Sequence, residues 1–307
     1  MKKYILFLFL ITISLIINIG CTRVIYVYDD EDNIIGRYYI KKKTESMYIN
    51  YEFSRIEGLD KITELKELDL AFSKTTKKNI LDELAKLKKL ERIHLSDNNI
   101  RNIEGLDKLT NLKFLDLSRN RISRIEGLDQ LTNLEELNLM NNGITKIGDL
   151  DKLTNLKELY LANNKIAKIE SLDKFTNLKI LHIEDNKIRK IEDLDNLINL
   201  KILHLGDNEI TKIEGLDKLT NLEELYIYGN KITKIEGLNN LLKLSKLHIT
   251  ENRLTKIDGL ENLVELKTVY IENNKLTEKE YEAGKKKYPW IEFDPKREIQ
   301  TYIIDLR

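Results

Sequence analysis

From Leu90 to Glu265 the chain is a run of eight consecutive 22-residue units, with no insertion or deletion. The first three read LERIHLSDNNIRNIEGLDKLTN, LKFLDLSRNRISRIEGLDQLTN and LEELNLMNNGITKIGDLDKLTN. With the positions of a unit numbered as slots 1 to 22, slots 1, 4, 6, 11, 14, 17 and 20 are Leu or Ile everywhere except at Phe175. Slot 9 is asparagine in every unit, from Asn98 to Asn252. A unit this short cannot bury its own apolar face, so it must stack on its neighbours. Slots 4 and 6 alternate with polar residues, which is the period of a strand with one buried face, and successive units place such strands in one parallel sheet. Slots 11, 14, 17 and 20 recur at intervals of three, which predicts a tight helical or extended return path. The slot-9 carboxamide stands where the chain leaves the strand. Its donors and acceptor can satisfy backbone groups of adjacent coils that would otherwise be buried unpaired.

The array runs past this block at both ends. Leu65–Lys89 is a 25-residue unit with Ser73 in the asparagine slot, and Ile80, Leu81, Leu84 and Leu87 have helical spacing. Phe53, Ile56, Leu59 and Ile62 form the back half of a degenerate unit, and LKTVYIENNKLT at 266–277 starts a tenth strand. EKEYEAGKKKYPWIEFD is expected to be a helix ending near Pro289, with Trp290 and Phe293 covering the last coil. Residues 24–40 alternate around a polar turn and read as a hairpin. The organisation expected is a signal peptide at 1–20, an N-terminal hairpin or cap at 21–52, a solenoid at 53–277 and a C-terminal cap at 278–307.

The unit LxxLxLxxNxIxxIxxLxxLxN resembles the 22-residue class of leucine-rich repeat, shared by phosphatase-regulator and internalin types. The resemblance covers roughly residues 53–277. It implies an α/β solenoid, a horseshoe with a parallel β-sheet on its concave face and short 3-10 or irregular returns on the convex face. It also implies protein–protein recognition, although the motif is made of scaffold residues and says nothing of the partner.

Residues 1–21, MKKYILFLFLITISLIINIGC, run from two lysines through an uncharged aliphatic stretch to the only cysteine of the chain. That order is a secretory signal pattern, and glycine followed by a lone cysteine is similar to a bacterial lipoprotein signal with Cys21 as the lipidated residue. Asn18 stands where such signals usually carry leucine. An uncleaved anchor and an ordinary signal peptide are the other readings, since ~17 apolar residues is the short end of a bilayer span. The C-terminus, TYIIDLR, carries no sorting signal, so membrane attachment is expected through the N-terminal lipid anchor. A cell-envelope location is expected accordingly.

Slots 3, 5 and 7 point out of the sheet. Slot 5 reads Asp69, His94, Asp116, Asn138, Tyr160, His182, His204, Tyr226, His248 and Tyr270, so it holds all four histidines of the chain. Slot 3 changes in step, with Ile180 and Ile202 where other units carry Glu136, Glu158 and Glu224, and slot 7 adds Tyr228. Apolar and aromatic residues on an otherwise charged sheet have the composition of an interface core. The expected partner-binding patch is therefore Tyr160, Ile180, His182, Ile202, His204, Tyr226, Tyr228, His248 and Tyr270. Strand propensity alone is the plainer explanation for tyrosine in this slot. His182 and His204, on adjacent strands about 5 Å apart, make a zinc-like ligand set with Glu184. Histidines on neighbouring strands are common without metal, so no metal or cofactor is assigned. Protonation of the pair is a milder alternative.

Charge is balanced, at 51 basic against 51 acidic residues, so no cationic excess favours nucleic acid. Slot 13 is nearly all basic and slot 15 nearly all acidic, which is a self-compensating solvated face. The sequence has no phosphate-binding glycine loop, HExxH, CxxC or nucleophile elbow. An open sheet also lacks a water-excluding pocket. The expectation is a non-enzymatic, secreted, lipid-anchored protein binding a protein partner, with no nucleic acid or small-molecule substrate. The alternative is an intracellular scaffold of the phosphatase-regulator type.

Overall fold

The computed structural model describes residues 23–41, 43–49, 52–73, 80, 83–148 and 150–294. The apolar N-terminal stretch with Cys21 and the residues after 294 lie outside these. The chain divides into two compact units, one comprising residues up to 144 with 148–156, the other 145–147 with the residues from 157 onward.

In the first unit, β1 (Arg23–Tyr28) and β2 (Ile34–Ile40) pair antiparallel as a hairpin. Asp29 organises the turn: its Oδ1 accepts the backbone N–H groups of Glu31 at 2.9 Å and Asn33 at 2.8 Å. Short acidic side chains hold turns in this way. β3 (Ser46–Tyr48) lies inside the segment expected to be cap, and it already belongs to the parallel ladder. β4 (Arg55–Glu57) adds antiparallel to β1. β3 pairs parallel with β5 (Glu67–Asp69), which pairs in turn with β6 (Arg92–His94), β7 (Phe114–Asp116) and β8 (Glu136–Asn138). Of the apolar positions of the helix expected in the 25-residue unit, Leu81 lies outside the described residues, Ile80 and Leu84 are helical, and Leu87 falls just beyond, where the chain has already turned.

The second unit holds β9 (Glu158–Tyr160), β10 (Ile180–His182), β11 (Ile202–His204), β12 (Glu224–Tyr226), β13 (Lys246–His248) and β14 (Thr268–Tyr270). They pair parallel in chain order with residues 22 apart directly opposite, as Ile180 with Ile202. Each strand spans only slots 3 to 5. Slots 4 and 6 point into the core, where Leu181, Ile183, Leu203 and Leu205 are fully buried. Burying one such side chain stabilises by about 1.5–3 kcal/mol, repeated in every coil.

The interval of three among slots 11 to 20 has a backbone cause. Each return is a series of i→i+3 hydrogen bonds: the Leu197 N–H donates to the Leu194 carbonyl, and the Leu200 N–H to the Leu197 carbonyl, both at 2.9 Å. Such tight turns eclipse side chains at i and i+3, so the apolar residues fall on one inward line. Glycine often opens this turn because the backbone there is left-handed. A Cβ on Gly215 (φ 68°) would come within 2.7 Å of the Ile191 carbonyl.

The asparagine column stitches the coils together. The Asn186 amide donates to the Leu161 carbonyl of the preceding coil at 3.0 Å, and to its own coil at Ile183 (3.1 Å) and Glu184 (3.0 Å). Its oxygen accepts the Ile166 N–H at 2.9 Å. In the first unit, Ser73 in the same slot has a single hydroxyl proton to share between the Ile49 carbonyl at 3.2 Å and the Ala71 carbonyl of its own coil at 3.5 Å. The residue before each asparagine is left-handed, as at Asp185 (φ 52°) and Asp207 (φ 50°). That explains why Asn, Asp and Gly are frequent there.

The second unit ends in α1 (Glu278–Lys287) and β15 (Glu292–Asp294), which pairs parallel with β14. Thr277 and Glu280 form a reciprocal capping box at the helix start. Phe293 is buried in β15 as expected, but Trp290 is 52% exposed and stands edge-on to Tyr288. Tyr288, at 1% exposure, covers the last coil in its place, its hydroxyl donating to Glu261 at 2.8 Å.

Candidate functional site

The slot-5 side chains of the second unit form one ladder of six rings. Register places His182 opposite Tyr160 and His204, and His204 opposite Tyr226. Strands about 4.7–4.9 Å apart leave little room for aromatic groups to do anything except stack. His182 and His204 lie with ring centroids 4.1 Å apart and planes at 18°, and His204 stacks on Tyr226 at 3.8 Å and 21°. Tyr160 meets His182 at 5.1 Å, while His248 sits 6.0 Å from Tyr226 and 5.0 Å from Tyr270. Tyr228, from slot 7, packs 4.9 Å from His248.

The central rings face outward but are largely covered. Tyr160, His182, His204 and Tyr226 are 7%, 6%, 4% and 5% exposed. This corrects the expectation that an outward slot means an exposed side chain, because in-register neighbours cover one another's faces. The accessible members are Ile180, Ile202, Tyr228, His248 and Tyr270, each part-exposed.

Family models for leucine-rich repeats match residues 57–162, and, in a two-copy form, residues 154–196 and 198–240. An internalin (inlF) from Listeria monocytogenes is similar over 81% of this chain and 79% of its own, at 26% identity and a TM-score of 0.64. The chain is a leucine-rich-repeat protein of the internalin-like type. Internalin C2 of the same organism is 27% identical over 69% of this leucine-rich-repeat chain and 82% of its own, with a TM-score of 0.50. The leucine-rich-repeat ectodomain of an Arabidopsis thaliana receptor kinase, GASSHO1/SCHENGEN3, shares the fold alone. It is 23% identical over 71% of this chain and 31% of its own, with a TM-score of 0.59. No curated protein matches the sequence significantly.

Within this leucine-rich-repeat sheet the tyrosines are fixed by their slot-3 neighbours. The Tyr160 hydroxyl donates to Glu158 at 2.6 Å, and the Tyr226 hydroxyl to Glu224. Lys246 Nζ closes the far side, 3.4 Å from Glu224 Oε2. Where slot 3 is Ile180 or Ile202, that slot supplies no carboxylate. Burial, reinforced by the charges of His182, His248 and Lys246, pulls the His204 imidazole down to about 2, so it is neutral at any ordinary pH. The Tyr228 phenol is raised, first by burial and then by the carboxylates of Glu184, Asp207 and Asp185.

Three contributors escaped the sequence reading. In the sequence Glu158 and Glu224 figure only as the charged slot-3 residues that Ile180 and Ile202 replace, yet they hold ring positions. Gly206 reads as an ordinary slot-7 residue, yet the Tyr228 ring lies where its Cβ would be. The signal was available, since glycine in slot 7 of one unit directly precedes tyrosine in slot 7 of the next. Glu184 stands beside the paired histidines, with Oε1 at 3.4 Å from His182 Nδ1. One ligand atom each from His182, Glu184 and His204 lies within 4.8 Å of the other two, which suits a cation that accepts imidazole and carboxylate ligands.

Proposed function

We infer that this protein binds a protein partner through the outward face of β9–β14, and that it does so at the cell envelope, held by a lipid on Cys21. The observation that supports it is the pairing of a rigid ring ladder with a part-exposed fringe of Ile180, Ile202, Tyr228, His248 and Tyr270. Rigid aromatics give contact area at little entropic cost, and a polar rim with Lys246 and Glu224 excludes water around them. Leucine-rich-repeat relatives are typically protein-binding. The solved GASSHO1/SCHENGEN3 ectodomain is in complex with CASPARIAN STRIP INTEGRITY FACTOR 2, which offers a precedent for the partner class.

The decisive experiment is site-specific photocrosslinking of the full chain in its own cells. A crosslinker at Tyr228 is expected to trap one protein species, while one at Lys234, an exposed member of the basic slot-13 stripe, traps none. Equal products at both positions, or none at Tyr228, would remove the reading. Labelled palmitate incorporation that is lost in Cys21→Ala tests the location, and unchanged labelling defeats that half alone.

A further inference from the structure

Two adjacent coils, 178–199 and 200–221, depart from the rest of the array together. They alone combine isoleucine in slot 3 with histidine in slot 5, and their slot 7 holds Glu184 in one and Gly206 in the other. The consequence is local. Carboxylates are removed from one side of the histidine pair, and a single carboxylate is supplied on the other side.

We propose that His182, Glu184 and His204 form a binding site for a divalent metal ion of the zinc class, built on the face of the sheet. Two imidazoles and one carboxylate are the ligand set of open zinc sites, in which a fourth position remains for water or a partner's side chain. The mixture of nitrogen and oxygen donors favours zinc, cobalt, nickel or copper over the all-oxygen coordination of calcium or magnesium.

Three observations carry the proposal. The donor atoms already converge to within 4.8 Å: strand register sets His182 opposite His204, and Glu184 follows two residues after the strand. Glu184 Oε2 is buried and accepts no hydrogen bond. A buried carboxylate oxygen in that condition is costly, and a cation relieves it. The surroundings are also those of a constructed site. Tyr160 and Tyr226, anchored on Glu158 and Glu224, bracket the two imidazoles. Ile180 and Ile202 supply an apolar flank, and the absent side chain at Gly206 leaves the other flank to the Tyr228 ring.

The site as it stands is open. Metal–nitrogen bonds of about 2.0–2.1 Å in a tetrahedron place donors about 3.3 Å apart, so the three groups must draw in. The imidazoles are also near-parallel, so one must rotate out of the stack to aim its lone pair at the ion. Metal binding is therefore expected to disturb the neighbouring tyrosines. The inference does not rest on the partner reading, and either can fail without the other.

The test is calorimetric titration of the full chain with zinc chloride alone, with near-ultraviolet circular dichroism followed in parallel. One equivalent of zinc is expected to bind and to change the tyrosine signal. His204→Asn and Glu184→Gln each weaken binding by at least about tenfold and abolish the spectral change. His248→Asn leaves both intact, and excess calcium does not compete. Cys21 is present in every arm, so thiol binding cannot mimic the difference. Glu184→Gln, isosteric and part-exposed, decides the matter if His204→Asn disturbs folding. Absence of zinc binding by the wild type, or equal binding by the wild type and Glu184→Gln, overturns the proposal.

Discussion

Asn208 Oδ1 accepts the backbone N–H of Ile188 at 3.0 Å, across the boundary between one coil and the coil before it. The same side chain donates to the carbonyls of Ile183, Leu205 and Gly206 at 3.0 to 3.2 Å. One buried carboxamide thus satisfies four backbone groups that water does not reach. Asn208→Ala is expected to destabilise the protein by roughly 2–4 kcal/mol, because each orphaned buried group costs about 1–3 kcal/mol and partial hydration offsets some of it. Asn208→Ser should cost less, following the bond that Ser73 makes. Urea unfolding of the three proteins measures this. An alanine variant that stays within about 0.5 kcal/mol of wild type, the range of an ordinary surface substitution, would contradict it.

Asp116 is fully buried in slot 5, and burial raises its carboxyl above the ordinary range. Asn138 fills the same slot one coil later and makes the equivalent bond, accepting the Met140 N–H at 3.1 Å as Asp116 accepts that of Ser118 at 2.9 Å. A native carboxyl raised above its unfolded value holds its proton to higher pH than the unfolded chain does. Its destabilising charge is then fully present above the native value and gone below the unfolded one. Asp116→Asn should therefore be more stable than wild type at neutral pH, with the advantage vanishing as pH falls below the ordinary carboxylate range. Thermal melts across that range check the sign, and a pH-independent difference would rule out charge as the cause.

The last coil is closed by Tyr288 and not by Trp290. Tyr288→Ala should cost about 3–5 kcal/mol, the scale of deleting a buried aromatic side chain, whereas Trp290→Ala should cost under about 1 kcal/mol. Hydrogen exchange at β14 gives a local readout, since only the first variant should lose protection there. Equal losses would mean that both aromatics cap the array.

Gly206 gives way to the Tyr228 ring. Because the obstructing atoms are the far end of a side chain that can rotate, Gly206→Ala should shift stability by no more than about 1 kcal/mol while displacing Tyr228. Freed from burial and from Glu184, the phenol should titrate at lower pH than it does in the wild type. The difference between alkaline spectra of each protein and its Tyr228→Phe counterpart isolates that group. An unmoved titration would show that the ring had not shifted.

The repeating architecture was legible because slots 4, 6 and 9 do one job each in every coil, and Leu181, Ile183 and Asn186 could be assigned from spacing alone. β3 was not legible. Its coil puts Met47 and Ile49 in the buried slots, but its offset from β5 falls one short of the regular period and Glu52 replaces the asparagine. β15 was hidden by the helix inserted before it. At the candidate site, period-two alternation correctly set the direction of His182 and His204. It could not set their exposure, which depends on what the neighbouring coils place 3.8 to 4.1 Å away. Trp290 misled for a related reason, since size argues for burial only where a neighbour offers a surface.

Because each coil answers the next at an offset of 22, the boundary between one coil and its successor is chemically the same from unit to unit. Removing residues 178–199 would join Asn177 to Leu200, slot 22 to slot 1, and would bring Tyr160 and His204 onto adjacent strands. The number of coils is thus adjustable by whole units without new interfaces having to be devised. An ancestral gene could lengthen or shorten the array by unequal crossing-over and still encode a folded protein, leaving selection to act on the few outward residues that differ from coil to coil.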